Sequence, residues 1–156
     1  MMVYIKNTLR VRTQRSADLD VERYRHILER LLQHEGYADW DLSVWLTNDA
    51  TIRRYNKTYR DVDKPTDVLS FSPHAHLKPG KRIVVRDADE KNLGDLIISI
   101  PYVQRFCMRE GCAFEERMTL LLVHGFCHLL GYDHATEKQY AQMSANEHQL
   151  IAFLGA

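Results

Sequence analysis

The segment HGFCHLLGYDH at residues 124–134 constrains this chain more than any other, because it places three imidazoles at offsets of zero, four and ten. On an α-helix, residues four apart lie on one face, so His124 and His128 can converge on one cation. Gly131 stands where a helix commonly ends in a left-handed turn, which can bring His134 to the same cation. Three nitrogen ligands leave a position open for water, as in catalytic zinc sites. The segment therefore predicts a metal site.

The complete pattern is more specific than any pair of histidines in it. A lone histidine on an apolar helix is usually a core residue, and two at a spacing of four can occur by chance among eight histidines. A glycine at offset seven and a third histidine at offset ten are much harder to produce by accident. Imidazole ligands suit zinc, although nickel or another divalent transition metal fits them too. We expect one zinc ion held by His124, His128 and His134.

The same spacing is similar to HExxHxxGxxH of the metzincin proteases, but the second residue here is Gly125. Those enzymes carry a glutamate there, which accepts a proton from the attacking water. Without that carboxylate, peptide hydrolysis is disfavoured. A metzincin-like metallopeptidase or another metallohydrolase remains an alternative.

Three segments together resemble the YbeY family of metal-dependent endoribonucleases, which are also rRNA maturation factors. The histidine segment is similar to the family's HGxxHLxGYDH. Residues 55–71, YNKTYRDVDKPTDVLSF, are similar to NxxYRxxDxPTDVLSF, and residues 93–99, LGDLIIS, to LGDIxIS. The segments follow the family's order over the whole chain, and Cys127 replaces a leucine often found there.

The resemblance implies that His124, His128 and His134 bind the metal and that Arg60 is the cationic catalytic residue. It implies a single-strand-specific endoribonuclease of late rRNA maturation, acting on the 16S-type small-subunit RNA and in ribosome quality control. The implied partners are an rRNA precursor and the small ribosomal subunit or an assembly factor. Two alternatives stay open: a non-catalytic ribosome-assembly factor with a structural metal, and a purely structural ion pair at Arg60.

The proton acceptor is undetermined without a glutamate at position 125. The candidates are a metal-bound hydroxide and four side chains: Asp95, Asp133, His74 and His76. Asp133 could equally cap the helix end or orient a ligand. Thr66, Asp67 and Ser70 could support the site, but Thr66 and Asp67 are explained as well by a turn that starts a strand.

Composition bounds the class of protein and its surroundings. The length of 156 residues fits one domain, residues 1–156, with a core that needs no disulfides. The formal net charge is zero, so affinity for RNA must be local, and we expect no DNA partner. Two basic clusters could supply it: Arg53, Arg54, Lys57, Arg60 and Lys64, then Lys78, Lys81, Arg82 and Arg86. Solvated surface explains such charge runs equally well.

The cysteines and the N-terminal segment predict a location. Cys107, Cys112 and Cys127 are odd in number and lie in or beside apolar helical sequence, so we expect reduced thiols. The first residues lack the apolar stretch of a secretory signal, and no segment suits a membrane span. We expect a cytoplasmic protein, with mitochondria or another organelle matrix as the alternative.

Periodicity predicts an α+β fold, an α/β sandwich with a mixed sheet of about four strands, surrounding helices and a central metal-bearing helix. The strands are expected at 2–10, 41–47, 67–71 and 96–100. The helices are expected at 21–36, 48–59, 102–110, 114–130 and 137–154, with a capping box at Thr136 and Gln139. Residues 72–92 are expected to form a mobile flap or a hairpin extension outside the core.

Overall fold

The computed structural model describes residues 2–9 and 19–155. In chain order its elements are β1 (Val3–Asn7), α1 (Val21–His34), β2 (Asp41–Thr47), α2 (Asp49–Arg60), β3 (Val68–Phe71), β4 (Asn92–Ser99), α3 (Ile100–Glu110), α4 (Phe114–Leu129) and α5 (Glu137–Gly155). A short 3-10 helix, Ala88–Glu90, precedes β4. Residue 10, the predicted end of the first strand, lies outside the described residues.

The described strands form one mixed sheet in the order β1-β2-β4-β3. β1, β2 and β4 run parallel, and β3 pairs antiparallel with β4 at an edge of the sheet. This arrangement confirms the predicted α+β class and the mixed sheet of four strands. The antiparallel pairing places Phe71, at the end of the PTDVLSF segment, opposite Asp95 of β4.

Alternation along the strands gives the sheet two different faces. Val44, Leu96 and Ile98 point toward α1 and α4 and are almost completely buried in the main core. Leu69 and Ile97 point to the other side and pack with Ile52 of α2 in a small second cluster. α4 lies against the sheet and contacts α1, α3 and α5 as well, so it is the central helix that the apolar sequence predicted.

The helix ends follow their sequence signals. Asn48 accepts a hydrogen bond from the Thr51 amide at the start of α2. At α5, the Gln139 amide donates to the Thr136 hydroxyl and the Thr136 amide donates to the Gln139 side chain. The predicted capping box is therefore confirmed.

Two expectations about the chain between β3 and β4 are wrong. β4 begins at Asn92, four residues before the predicted start. The prediction missed these residues because glycine and aspartate, here Gly94 and Asp95, are uncommon inside strands. Residues 72–92 form no hairpin extension, and the segment contributes to the core through Ile83, which is 8% exposed. The Ile83 amide donates to the Tyr37 hydroxyl, which anchors the segment to the end of α1.

The cysteines are free thiols, and Cys127 is completely buried with the Asn146 amide donating to its sulfur. Cys127 belongs to the main core, and burial raises the pKa of its thiol to about 12. Within residues 2–9 and 19–155, no helix is both long and apolar enough to cross a bilayer.

Candidate metal centre

The three predicted histidines converge at the C-terminal end of α4. One nitrogen from each of His124, His128 and His134 lies within 4.8 Å of the others. His124 and His128 are half-buried because they lie on the face of α4 beside the cleft, whereas His134 is exposed on the following turn. The cleft has a volume of about 760 Å³.

A Schellman motif ends α4 and holds one of these rings. The Gly131 amide donates to the His128 carbonyl, and the Tyr132 amide donates to the Cys127 carbonyl. Gly131 has φ of +87°, the conformation that its position in the sequence predicted. The Tyr132 carbonyl then lies 3.0 Å from Nδ1 of His128, so this ring nitrogen donates to it.

Glu147 of α5 holds the other helical imidazole. Its Oε1 lies 2.7 Å from Nδ1 of His124, a pairing that the sequence analysis missed. Since Glu147 is 23 residues away on another helix, no local spacing relates it to His124. A carboxylate on the outer nitrogen of a metal-binding imidazole fixes the tautomer and the ring orientation.

These outer contacts prepare the two rings for a cation. With both Nδ1 atoms donating, the Nε2 atoms of His124 and His128 face each other, 3.2 Å apart, and are left to bind a cation. Two nitrogens bound tetrahedrally to one zinc at about 2.05 Å would lie about 3.3 Å apart. Burial, and then the neighbouring His124, lower the pKa of His128, which keeps the ring neutral. The donor set of His124, His128 and His134 therefore fits a divalent metal.

Arg60 lines the same cleft as the histidines. Its Nη2 donates to the Ser70 carbonyl at 2.9 Å, and its guanidinium lies over the Phe71 ring. These contacts place an exposed, permanently charged group at the edge strand β3 without a carboxylate partner among its described contacts. Arg60 is thus free to meet an anion in the cleft.

The PTDVLSF segment lines the cleft mainly as its wall. Thr66, Asp67 and Ser70 all border the cavity. The Asp67 carboxylate accepts from the Val68 amide and from Arg117, so it anchors β3 to α4. The contacts of Asp67 favour the turn interpretation of this residue, and Ser70 contributes a carbonyl to Arg60.

Two of the four candidate proton acceptors reach the cleft. Asp133 lines it and uses one oxygen to accept from the His134 amide, so it also stabilises the turn that carries that ligand. His74 lines the opposite wall, where its Nε2 lies 2.9 Å from the Asn92 carbonyl. If Nε2 donates there, Nδ1 of His74 is left as an acceptor.

The structure does not bring Asp95 or His76 into the cleft. Leu96 faces α4, so its neighbour Asp95 projects from the opposite face of the sheet. Asp95 lines a different cavity there. His76 is exposed on the loop after β3 and borders neither of these cavities. Neither Asp95 nor His76 is therefore placed to accept the proton.

Gly125 shows why the metzincin glutamate is absent. A Cβ at this position would lie 2.7 Å from Cδ2 of Leu96, so α4 packs on β4 at a distance that only glycine allows without a shift. The side of the helix where a metzincin carries its base is thus pressed against the sheet. This packing leaves no room at position 125 for the general base of a metzincin.

Comparison with known proteins assigns the family. A profile of the family described as Endoribonuclease YbeY matches residues 9–155. The chain belongs to this family. An Endoribonuclease YbeY of Heliobacterium modesticaldum is 41% identical over 137 residues, covering 83% of this chain and 82% of the relative. The human Endoribonuclease YbeY is 36% identical over 157 residues, an alignment that covers 99% of this chain and 89% of the human protein.

A solved structure supports the fold independently. The solution structure of TM1509 from Thermotoga maritima superposes with a TM-score of 0.58 at 21% identity, covering 98% of this chain and 91% of that chain. At this identity the likeness concerns the fold alone. Two of the three motifs that resemble the YbeY family line the cleft: the histidine segment forms one side and the PTDVLSF segment with Arg60 the other.

Proposed function

We propose that this protein is a metal-dependent endoribonuclease that cleaves single-stranded RNA during rRNA maturation. The observation that carries the proposal is the shared cleft of three converging imidazoles and Arg60 in a member of the YbeY family. A site that holds a cation beside a fixed guanidinium suits a phosphodiester, which carries negative charge on two nonbridging oxygens.

The residues divide the work in the cleft. His124, His128 and His134 would hold the metal, which when bound polarises a phosphoryl oxygen and lowers the pKa of a coordinated water. Arg60 would donate to a nonbridging oxygen and stabilise the charge that develops as the phosphorus is attacked. Glu147 and the Tyr132 carbonyl keep the two helical imidazoles oriented throughout.

The proton from the attacking group would pass to Asp133 or His74, the two candidate acceptors that line the cleft. The nucleophile is either water or the 2′-hydroxyl of the RNA itself. The products distinguish the two routes, because attack by the 2′-hydroxyl leaves a 2′,3′-cyclic phosphate end.

Cleavage of an rRNA fragment with an unpaired 3′ region tests the proposal. Wild type should cut the unpaired region, His128→Ala should abolish cleavage, and Arg60→Ala should slow it about 100-fold or more. Arg60→Lys should restore only part of the rate, since an ammonium cannot reproduce the planar donors. His148 and Arg23 are exposed, so His148→Ala is the control for the loss of an imidazole and Arg23→Ala the control for the loss of a guanidinium. Unchanged cleavage by a folded His128→Ala variant would overturn the proposal.

We propose zinc as the physiological metal, with nickel or another divalent transition metal as the alternative. Three imidazoles and one open position favour zinc but do not select it over its neighbours. Elemental analysis of the purified protein should give one zinc per chain, and the His128→Ala variant should lose it. Stoichiometric nickel or copper in wild type would replace zinc in the proposal.

The proposed partners are an rRNA precursor and the small ribosomal subunit or an assembly factor. We propose that the protein acts in the cytoplasm, or else in an organelle matrix, because its three cysteines suit a reducing compartment. Cosedimentation with small-subunit particles and fractionation of cells test the two statements separately.

A further inference from the structure

A second cavity of about 630 Å³ lies on the face of the sheet opposite α4. We call it the aromatic groove and define it by six of its lining side chains: Tyr4, Lys6, Trp45, Tyr55, Tyr59 and Phe71. A contiguous patch of large apolar side chains that stays open to solvent often marks a binding surface on a protein. Tyr4 is 55% exposed and Tyr59 59% exposed.

The strand register lays the groove across the whole sheet. Tyr4 of β1 is paired with Ser43 of β2, Ser43 with Asp95 of β4, and Asp95 with Phe71 of β3. With neighbouring strands about 4.8 Å apart, this row spans about 14 Å. A second row begins with Lys6, which pairs with Trp45. The groove is therefore a bed of side chains that extends from one edge strand to the other.

α2 covers only part of this face and adds aromatic rings to it. Tyr55 meets the Trp45 ring edge-on at 5.7 Å, and Tyr59 stacks on Tyr55 at 5.8 Å. Tyr59 in turn contacts Phe71 at 5.2 Å between ring centroids. These contacts hold the rings in place while the outer surfaces of Tyr4 and Tyr59 remain accessible.

The groove and the metal cleft meet at the edge strand β3, where they share a lining residue. Phe71 lines both cavities, and Arg60, at the cleft, lies over the Phe71 ring with 5.2 Å between its guanidinium carbon and the ring centroid. The other end of the groove carries Lys6, whose ammonium lies over Trp45. Lys6 and Arg60 thus place a cation near each end of the aromatic groove. Among the described residues, Asp95 is the one acidic side chain in the lining of the groove.

We propose that the aromatic groove binds the unpaired nucleotides of an RNA strand whose scissile phosphate lies in the metal cleft, a proposal that rests on the proposed function. Tyr59 and Tyr4 stack on bases, and Lys6 contacts a phosphate. Every base has a face that can stack on an aromatic ring, so such a surface binds single strands with little dependence on sequence. Bases within a duplex are stacked on their neighbours and cannot stack on these rings, so the groove should favour single-stranded RNA.

Binding of RNA of increasing length tests the proposal. The probes are fluorescein-labelled 2′-O-methyl oligouridines of two and six nucleotides, checked for intactness and titrated in fluorescence anisotropy. In wild type the hexamer should bind more tightly than the dimer, because only the hexamer reaches from the cleft into the groove. Tyr59→Ala and Tyr4→Ala should each reduce this hexamer-to-dimer affinity ratio about tenfold. Tyr59→Phe, which keeps the ring, should retain it.

Tyr140→Ala is the matched control, since Tyr140 is 63% exposed on α5 and borders neither cavity. An unchanged ratio in Tyr59→Ala and Tyr4→Ala would overturn the proposal, as expected if the groove binds a protein instead. Equal losses for dimer and hexamer would also overturn it, because they would indicate damage to the cleft.

Crosslinking supplies a readout that needs no variant. A hexamer with 4-thiouridine at its ends should crosslink to peptides that contain Tyr4 or Tyr59. Crosslinks confined to the segments around the cleft, residues 72–77 and 124–134, would contradict the proposal. If wild type fails to cleave RNA yet binds the hexamer through the groove, the proposed activity fails and the groove stands. If it cleaves RNA but the groove contributes nothing to binding, the proposed activity stands and the proposal for the groove fails.

Discussion

Glu147 is the residue that orients His124, the first of the three predicted metal ligands. Its carboxylate accepts from Nδ1 of His124 and thereby turns Nε2 toward the cleft. The side chain is only partly exposed, so the pairing is less screened than one on the open surface. The negative charge also makes the imidazole a better electron donor to a cation.

We predict that Glu147→Ala weakens metal binding about 10- to 100-fold, because the ring of His124 loses its fixed tautomer and orientation. Glu147→Gln should lose less, since an amide oxygen still accepts from Nδ1 without the charge. Competition with a chromogenic chelator measures both affinities, and Gln149→Ala, exposed on the same helix, is the control. Equal affinity for zinc in wild type and Glu147→Ala would show that Glu147 plays no part in the site.

Among individual residues, the sequence predicted those that lie close together along the chain. It missed a residue that only the packing of two helices brings to the site. His124, His128 and His134 follow from one helix and one turn, and Arg60 from its motif. Glu147 could not be found, because only the packing of α5 on α4 brings it to His124. Asp95 was one of several candidate proton acceptors, but the alternation of side chains along a strand does not say which face of the sheet meets the histidine-bearing helix.

At the scale of elements, the end of α4 connects the fold to the site. The turn at Gly131 carries the Tyr132 carbonyl to His128 and carries His134 itself toward the other ligands. A Cβ on Gly131 would collide with the Leu77 carbonyl in the loop that forms the far wall of the cleft. Sequence predicted the turn from its glycine, whereas the contact with residue 77 depends on the loop's path across the core.

We predict that Gly131→Ala destabilises the protein by about 3 kcal/mol, from the cost of a left-handed alanine and from displacing the Leu77 backbone. Gly111→Ala is a matched control: Gly111 has φ of +70° at the end of α3, and a Cβ there would meet nothing within 4 Å. It should cost only about 1 kcal/mol. Urea unfolding measures both variants, and Gly131→Ala alone should also weaken zinc binding. Equal losses of stability in Gly131→Ala and Gly111→Ala would show that the backbone at Leu77 moves aside at no cost in free energy.

At the scale of the whole molecule, the cleft is assembled from elements that the core already holds in place. α4 is buried against the sheet, the Asp67–Arg117 ion pair ties β3 to it, and Glu147 reaches it from α5. The single domain at residues 1–156 remains a prediction, which a single cooperative unfolding transition would support. Because hydrogen bonds within the protein orient the candidate ligands, we expect the fold to form without the metal.

We therefore predict that chelation leaves the protein folded but less stable. Zinc at about 100 times its dissociation constant should add about 2.7 kcal/mol, which corresponds to about 5–10 °C in Tm for a domain of this size. Circular dichroism of the metal-free protein should keep the helical signal and a single transition at a lower temperature. His128→Ala should melt at one temperature with or without zinc. A metal-free chain without a cooperative transition would instead indicate a structural metal and favour a role in ribosome assembly that does not depend on catalysis.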